Sequence, residues 1–329
     1  MENVVGLPEI EAARLRIAGH VVATPLRPSP GLSRVSGHPV FLKLETRQIT
    51  GSFKLRGATN AVRALGRVQR ARGLVTASTG NHGHAVAYAA REFGCRAIVC
   101  MSALVPENKL AAVQALGAEI RIVGRSQDDA QAEVARLVRE EGLTEIPPFD
   151  HKAVVAGQGT IGLEILEALP DTEAILIPLS GGGLAAGIAA AVKARRPVAR
   201  VIGVSMALGA AMHASLAAGH PVAVEEVETL ADSLGGGIGL ANRYTFRMCR
   251  DLLDDAVLVD EAEIAAAIRY AHEAEGETVE GAGAVGIAAL LAGRVRPRGP
   301  CAVVISGGNI DPRLHRDIVA GRVPQISAA

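Results

Sequence analysis

"AILIPLSGGGLAAGIAAAV", residues 174–192, is a short apolar run followed by three glycines and an alanine-rich stretch. An apolar run of this length is typical of a strand buried on both faces, and the alanine-rich stretch is typical of a helix. Glycines between a strand and a helix allow backbone N–H groups to close around an anion at the start of the helix. The stretch therefore predicts a strand, a glycine loop and a helix in succession.

The same alternation extends along the chain. Short runs rich in valine and isoleucine separate alanine-rich helical patterns, and they read "VFLKLE", "LVTAS", "RAIVCM", "EIRIVG", "RVIGVS", "AVLVD" and "CAVVIS". Strands that are apolar throughout belong to parallel sheets whose two faces are covered by helices. We therefore predict an α/β fold built from doubly wound parallel sheets.

Composition excludes several classes of protein. The 329 residues carry 34 basic and 34 acidic side chains, and aromatic residues are only 2%, which argues against binding to nucleic acid. No apolar stretch has the ~18 to 20 residues of a membrane helix, and the polar start "MENVVGLPEIEAARLR" is no signal peptide. The four cysteines form no CxxC pair and are expected to be buried free thiols. We expect a cytoplasmic protein.

A change in composition suggests two domains. Two prolines and a polar segment in "IPPFDHKAVVAGQG", residues 146–159, follow a helical pattern that ends near Gly142. We take this segment as a domain junction. Residues 47–150 would form a small α/β domain, and residues 1–46 with 151–329 would form a large one that carries the glycine loop.

One lysine stands out in "TGSFKLRGATN", residues 50–60. Lys54 lies in a glycine-bounded turn at the predicted start of a helix, where a positive charge is unfavourable. The chain has only five lysines against 29 arginines, so arginine supplies most of its positive charge. Unlike arginine, a lysine amine can lose its proton and act as a nucleophile. The position therefore favours a chemical role for Lys54.

Three loops follow predicted strands, where parallel sheets bind ligands. "ASTGNHGHA", residues 77–85, offers hydroxyls, an amide and backbone N–H groups to a small anion. The glycine loop fits a monophosphate, because it lacks the lysine and the hydroxyl of a nucleotide P-loop. "SGGNID", residues 306–311, offers the neutral hydroxyl of Ser306. Each loop alone could be a helix cap or a turn, but together with one amine they meet the needs of pyridoxal 5′-phosphate.

Four motifs, "GSFKLRGA", "STGNHG", "SGGGLAAG" and "SGGNID", resemble in order and spacing the fold-type II pyridoxal-phosphate enzymes of the serine/threonine dehydratase and serine racemase group. The resemblance covers residues 24–311. It implies a fold like that of the tryptophan synthase β subunit, with the cofactor bound in the large domain. It also implies a small amino-acid substrate, and we expect a homodimer or homotetramer.

The resemblance assigns roles to individual residues. Lys54 would form the Schiff base with the cofactor and serve as the catalytic base. The remaining cofactor contacts would be Phe53, Asn81 at the ring hydroxyl, Ser306 at the pyridine nitrogen, and the phosphate loop Ser180, Gly181, Gly182, Gly183 and Leu184. The substrate would be bound by Ser78, Thr79, Asn81, His82 and Ser233.

This sequence differs from the family pattern at three positions, and each difference leads to an expectation. Thr79 replaces the serine that acts as the second acid or base in serine racemases, so we expect no racemisation. Ser205 replaces the glutamate that opens the divalent-metal site of those racemases, so we expect no metal. In "ADSLGGGIG", residues 231–239, Ser233 replaces a glycine near the substrate, so the pocket should differ from one for threonine.

The expected reaction is loss of water from a β-hydroxy amino acid, with release of ammonia and a 2-oxo acid. "KLETRQITGSFKLRGATNAV", "VCMSALVPENK", "RIVGRSQDDAQAEV" and "LADSLGGGIGLANRYTF" resemble the hydroxyectoine-utilisation dehydratases, which act on a diamino hydroxy acid. A general threonine/serine dehydratase is the alternative. A serine racemase, a β-replacement enzyme and a non-catalytic amino-acid-binding relative are less favoured.

Overall fold

Ten strands and fourteen α-helices alternate along residues 4–103, 105 and 107–323, which are the residues that the computed structural model describes. The strands are β1 Leu26–Pro28, β2 Val40–Leu44, β3 Leu74–Ala77, β4 Ala97–Met101, β5 Glu119–Ile122, β6 Thr144–Glu145, β7 Ala174–Pro178, β8 Arg200–Met206, β9 Asp255–Val259 and β10 Cys301–Ile305.

The helices cover both faces of the sheets these strands form. They are α1 Leu7–Ile17, α2 Pro30–Ser36, α3 Lys54–Ala64, α4 Arg67–Arg72, α5 Asn81–Glu92, α6 Glu107–Gln114, α7 Gln127–Glu141, α8 Lys152–Ala168, α9 Gly183–Arg195, α10 Ala211–Ala218, α11 Thr245–Leu252, α12 Glu261–Glu275, α13 Gly281–Leu291 and α14 Pro312–Val319. Two short 3₁₀ helices lie at Glu45–Arg47 and Asp232–Leu234.

The strands form two sheets. The larger sheet has the order β1-β2-β10-β7-β8-β9, and the smaller has the order β5-β4-β3-β6. Every neighbouring pair is parallel except β1 and β2. The predicted α/β fold with parallel sheets is confirmed, and each apolar run quoted from the sequence contains a strand.

Two edge strands were not predicted. β1 runs antiparallel to β2 and has three residues, the last of which is Pro28. Proline is tolerated there because an edge strand does not need every N–H for pairing. β6 has only two partly exposed residues. Strands this short are below the length at which an apolar or alternating pattern can be recognised.

The core explains why the central strands are apolar at every position. In β10, Val303 and Ile305 face one apolar cluster, formed with α12 and α13. Ala302 and Val304 face another, formed with α8 and α9. Because successive side chains of a strand point to opposite faces, a sheet covered on both sides needs apolar residues throughout.

Helix ends follow local signals in the sequence. The Ser126 hydroxyl accepts a hydrogen bond from the N–H of Asp129 at the start of α7, and the Asp129 carboxylate accepts one from the N–H of Ser126. At the other end of α7, Gly142 takes the left-handed conformation with φ of 68°. This reciprocal cap and the terminal glycine bound the helix predicted from "DDAQAEVARLVREEG".

The carboxyl ends of β3, β7 and β10 lead into the three loops singled out in the sequence. The loop after β10 is joined to the segment before α3, since the N–H of Phe53 donates to the Ser306 carbonyl at 2.9 Å. The N–H of Gly308 donates to the Gly51 carbonyl at 3.0 Å. These bonds hold the start of α3, and with it Lys54, against the end of the larger sheet.

Residues 146–151 connect β6 of the smaller sheet to α8, which packs against α3 and α9. The division into two domains near this segment stays a prediction. Among the described residues, no helix has both the length and the apolar character to cross a membrane.

Candidate active site

Lys54 is the first residue of α3, and its side chain is mostly enclosed by protein. Its Nζ donates to the carbonyl oxygen of Pro148 at 2.8 Å. Burial lowers the pKa of Lys54 to about 8, although the carboxylate of Glu280 acts in the opposite direction. Burial also lowers the pKa of Lys43, but that amine forms an ion pair with a carboxylate, as do those of Lys109 and Lys193. Lys54 is therefore a lysine poised to lose its proton near neutral pH.

The glycine loop between β7 and α9 is closely packed. Gly182 has φ of 86°, a left-handed conformation that a side chain would strain. A Cβ on Gly181 would lie 2.4 Å from the ring of Phe149, and one on Gly182 would lie 2.6 Å from Met212 Cε. Glycine is thus required at both positions. Because α9 begins at Gly183, its first N–H groups have no carbonyl partner within the helix and suit a phosphate.

Pro148 and Phe149 belong to a segment that the sequence analysis treated only as a junction. The next residue, Asp150, accepts hydrogen bonds from three successive backbone N–H groups at distances of 2.6, 2.8 and 2.9 Å; the donors are Arg243, Tyr244 and Thr245. Three adjacent residues therefore contact the lysine, the glycine loop and the start of α11. Only the spatial arrangement reveals this, because the contacts of Pro148 and Asp150 span more than 90 residues of sequence.

The loop after β3 ends at Asn81, the first residue of α5. The Ser78 hydroxyl accepts from the N–H of Gly80 at 3.3 Å, and the side chain of Thr79 is partly exposed beside it. The N-terminus of α5 places positive partial charge at this loop. The loop can therefore receive a carboxylate, although contact of Ser78 and Thr79 with substrate stays a prediction.

His82 is buried behind this loop. Its Nε2 is 2.8 Å from the Ile146 carbonyl oxygen. Burial, followed by the positive charge of Lys54, lowers the pKa of His82 to about 3 against the effect of that hydrogen bond. His82 is therefore neutral at physiological pH, with Nε2 as the donor, and its Nδ1 is buried without a partner among the described residues.

Glu280 is a site residue that the sequence analysis missed. It precedes α13, it is buried, and its Oε1 accepts from Asn81 Nδ2 at 2.8 Å. Burial, followed by the nearby charge of Asp232, raises the pKa of Glu280 to about 7. A signal existed, since "VEGAGAVGIAALL" places a single carboxylate before a helix that is otherwise entirely apolar.

Ser306 is buried where β10 ends, next to the Lys54 segment. Its carbonyl binds the N–H of Phe53, whose ring lies 5.3 Å from Lys54 Nζ. The Ser306 hydroxyl forms no hydrogen bond with the described part of the chain and remains available to a ligand. Loops from both sheets thus converge on Lys54.

Ser233 lies farther out than the other predicted site residues. It is exposed on the 3₁₀ helix Asp232–Leu234, and its hydroxyl donates to the Asp232 carboxylate at 3.1 Å. Asp232 also pairs with Lys109 of α6 at 3.0 Å. Asp232 raises the pKa of Glu280 and Lys109 lowers it, so this ion pair lies at the edge of the site.

Ser205, at which the resemblance to racemases predicts the loss of a metal ligand, is buried in β8 beside the sulfur of Met206. Among the described residues there is no group of three or more histidine, cysteine, aspartate or glutamate side chains arranged to hold a metal ion.

Comparison with known proteins finds a family and several relatives that match most of the chain. Residues 17–307 match the family described as pyridoxal-phosphate dependent enzyme. A putative threonine dehydratase of Sinorhizobium fredii is 63% identical over 320 residues, 97% of this chain and 96% of that protein. An L-threonine ammonia-lyase of Thermotoga maritima is 41% identical over 316 residues, 96% of this chain and 78% of that protein. The structure of maize serine racemase has a TM-score of 0.90 at 34% identity, covering 94% of this chain and 95% of its own.

Proposed function

The chain belongs to the family of pyridoxal-phosphate dependent enzymes, and we propose that it is a dehydratase that eliminates water from β-hydroxy amino acids and releases ammonia and a 2-oxo acid. It is an enzyme with the α/β architecture of fold type II, and its cofactor is pyridoxal 5′-phosphate. The observation that carries the proposal is the Lys54 amine, with its pKa lowered to about 8, at the point where the three loops meet.

The residues present fit this cofactor. The glycine loop and the first N–H groups of α9 would hold the phosphate, and Lys54 would hold the aldehyde carbon. Asn81 and the available hydroxyl of Ser306 would contact the ring. When bound, the cofactor supplies an electron-withdrawing ring that stabilises negative charge at the substrate α-carbon.

Lys54 is the residue that would move the proton of the substrate α-carbon. With its amine free and neutral, Lys54 Nζ would take the proton from the α-carbon of the substrate. The loop of Ser78 and Thr79 would hold the substrate carboxylate at the N-terminus of α5, which orients the α-carbon toward the lysine. The protonated Nζ would return that proton to the β-hydroxyl, which leaves as water, and hydrolysis of the resulting enamine by water would give the 2-oxo acid and ammonia.

We further propose that the physiological substrate is the diamino hydroxy acid formed in hydroxyectoine catabolism, with general threonine or serine dehydration as the alternative. Two carboxylates, Glu280 and Asp232, the second of which also pairs with Lys109, lie close enough for Asp232 to raise the pKa of Glu280. A second amino group on the substrate would be attracted to such a pair. A cytoplasmic location and a homo-oligomeric state belong to the same proposal.

The test is product analysis with threonine, serine and 3-hydroxy-2,4-diaminobutyrate. We expect 2-oxo acid and ammonia in equal amounts, with the highest kcat/KM for the diamino acid. Equal or higher kcat/KM for threonine would favour the general dehydratase, and binding without turnover of any of them would favour a non-catalytic relative.

The same assay tests racemisation and metal dependence. Because Thr79 and Ser205 replace the racemase residues, chelator treatment should leave the rate unchanged, and the unreacted substrate should keep its configuration. Magnesium-dependent activity, or racemisation faster than formation of oxo acid, would contradict the dehydratase proposal.

A further inference from the structure

A chain of hydrogen bonds crosses the site through the amide of Asn81. Asn309 Nδ2 donates to Asn81 Oδ1 at 2.6 Å, and Asn81 Nδ2 donates to Glu280 Oε1 at 2.8 Å. Asn309 Nδ2 also donates to the carbonyl oxygen of Thr50 at 2.9 Å. The chain therefore joins the loop after β10, the start of α5 and the start of α13.

Both ends of this chain are held in place. Asn309 cannot reverse its amide, because its oxygen would then face the carbonyl of Thr50 and the oxygen of Asn81. Glu280 is buried, and its backbone N–H donates to the Gly307 carbonyl at 3.2 Å. A Cβ on Gly307 would lie 2.5 Å from Glu280 Oε1, so glycine leaves the room this carboxylate occupies.

The fixed ends decide which way Asn81 faces. While Glu280 is ionised, a reversed amide would place its oxygen against the Glu280 carboxylate and its nitrogen against the nitrogen of Asn309, with loss of both hydrogen bonds. In the observed orientation Asn81 Oδ1 accepts from Asn309, and one of the two N–H groups of Asn81 Nδ2 donates to Glu280. The second N–H of Asn81 is left for a ligand.

We propose that Asn309 and Glu280 are positioning residues that make Asn81 a hydrogen-bond donor to the ring oxygen of the cofactor. The inference rests on the proposed function, in which Asn81 binds that oxygen. A donor stabilises the oxygen as an anion, whereas an amide free to reverse would offer its own oxygen instead. Neither Asn309 nor Glu280 needs to touch the reacting atoms for this effect.

The test compares two cofactors on the apoenzyme, pyridoxal 5′-phosphate and its 3-deoxy analogue, which lacks only the ring oxygen. Asn309→Asp replaces the donor with an acceptor, so that Asn81 lies between two carboxylates. We expect the Kd for pyridoxal 5′-phosphate to rise at least tenfold, while the Kd for the 3-deoxy analogue changes less than twofold. Equal weakening of both would overturn the proposal, because it would indicate a structural role for Asn309.

Glu280 gives a second and independent test. Glu280→Gln keeps an oxygen that can accept from Asn81, so the preference for pyridoxal 5′-phosphate over the analogue should stay within threefold of the wild type. Glu280→Leu removes the acceptor and should abolish that preference. If Glu280→Leu keeps the wild-type preference, Glu280 does not orient Asn81 and the proposal is wrong.

Asn60→Asp is the matched control. Asn60 is also a buried side chain whose amide is hydrogen-bonded at both ends. Its Nδ2 donates to the carbonyl oxygen of Ala153 at 2.6 Å, and its Oδ1 accepts from Arg16. Its substitution should leave the ratio of the two dissociation constants unchanged, and a changed ratio would count against the proposal. Binding is measured without substrate, so the inference can fail while dehydration is found, and dehydration can fail while the inference holds.

Discussion

The amine nitrogen of Lys54 lies 2.8 Å from the carbonyl oxygen of Pro148, and this neutral acceptor distinguishes it from the lysines that face carboxylates. A carboxylate would stabilise the ammonium form and raise the pKa. A carbonyl oxygen orients the amine without adding a negative charge. The contact therefore combines a fixed position with a pKa near 8, the combination required of a nucleophile and base.

Borohydride reduction of the holoenzyme should fix the cofactor to Lys54. The reagent makes the bond between the lysine and the cofactor permanent, and peptide mapping locates it. Lys43 is the internal control, because it is buried and forms an ion pair with Glu164. A label on Lys43 or Lys109 would refute the assignment of Lys54.

Capture of the cofactor by the apoenzyme should depend on pH with a midpoint near 8. Only the neutral amine reacts, and its fraction rises as the pH passes the lowered pKa of Lys54, well below the ordinary value of 10.5. Stopped-flow absorbance would measure the rate. Because the Glu280 carboxylate raises this pKa, Glu280→Gln should move the midpoint to lower pH. A wild-type midpoint above pH 10 would contradict the lowering of the Lys54 pKa by burial.

Gly182→Ala should weaken cofactor binding at least tenfold. The new methyl would lie 2.6 Å from Met212 Cε, 3.0 Å from Cys249 Sγ and 3.1 Å from Thr245 Cβ in a backbone with φ of 86°, so the loop or the side chains around it must shift. Gly219→Ala is the matched control, since Gly219 has φ of 78° with no atom within 4 Å of its Cβ position. Both variants carry the strain of a left-handed alanine, about 1 to 2 kcal/mol. Only Gly182→Ala should change the Kd for pyridoxal 5′-phosphate, and an equal effect of both would point to strain alone.

Ser306→Asp should slow the elimination and shift the visible absorption of the holoenzyme. A carboxylate at this buried position would favour protonation of the pyridine nitrogen, which strengthens the ring as an electron acceptor. The stronger acceptor prolongs the carbanionic state and delays loss of the β-hydroxyl. Ser306→Ala, which adds no charge, should not reproduce the spectral shift. Unchanged spectra and rates in Ser306→Asp would mean that Ser306 is not at the ring.

The sequence was sufficient for eight of the ten strands of the described residues and for the three loops singled out after them. Central strands such as β7 and β10 are apolar at every position because both faces are covered, and glycine loops at their ends are local features. Glu280 and Asp150 were missed because their importance comes from partners 199 and 93 to 95 residues away. No local pattern encodes such distant pairs. The ligand contacts assigned to Asn81 and Ser306 stay predictions.

Arg56→Leu should destabilise the apoenzyme by about 3 to 5 kcal/mol, because it leaves the buried carboxylate of Glu45 without its partner. The Arg56 guanidinium is fully buried and pairs with Glu45 at 2.8 Å and with Glu164 at 2.6 Å. Burial by itself would raise the pKa of Glu45, but Arg56 outweighs that effect and holds it below its ordinary value. Chemical denaturation would measure the loss.

Two comparisons identify the cause of that loss. Arg91→Leu removes an exposed pair with Glu92 and should cost less than about 1 kcal/mol. Replacing Glu45 by leucine in the Arg56→Leu background removes the unpaired charge, leaves Glu164 paired with Lys43, and should restore most of the stability. If the double variant is as unstable as Arg56→Leu, lost packing rather than unpaired charge explains the effect. Because Arg56 lies two residues after Lys54 on α3, the single variant should also bind the cofactor more weakly.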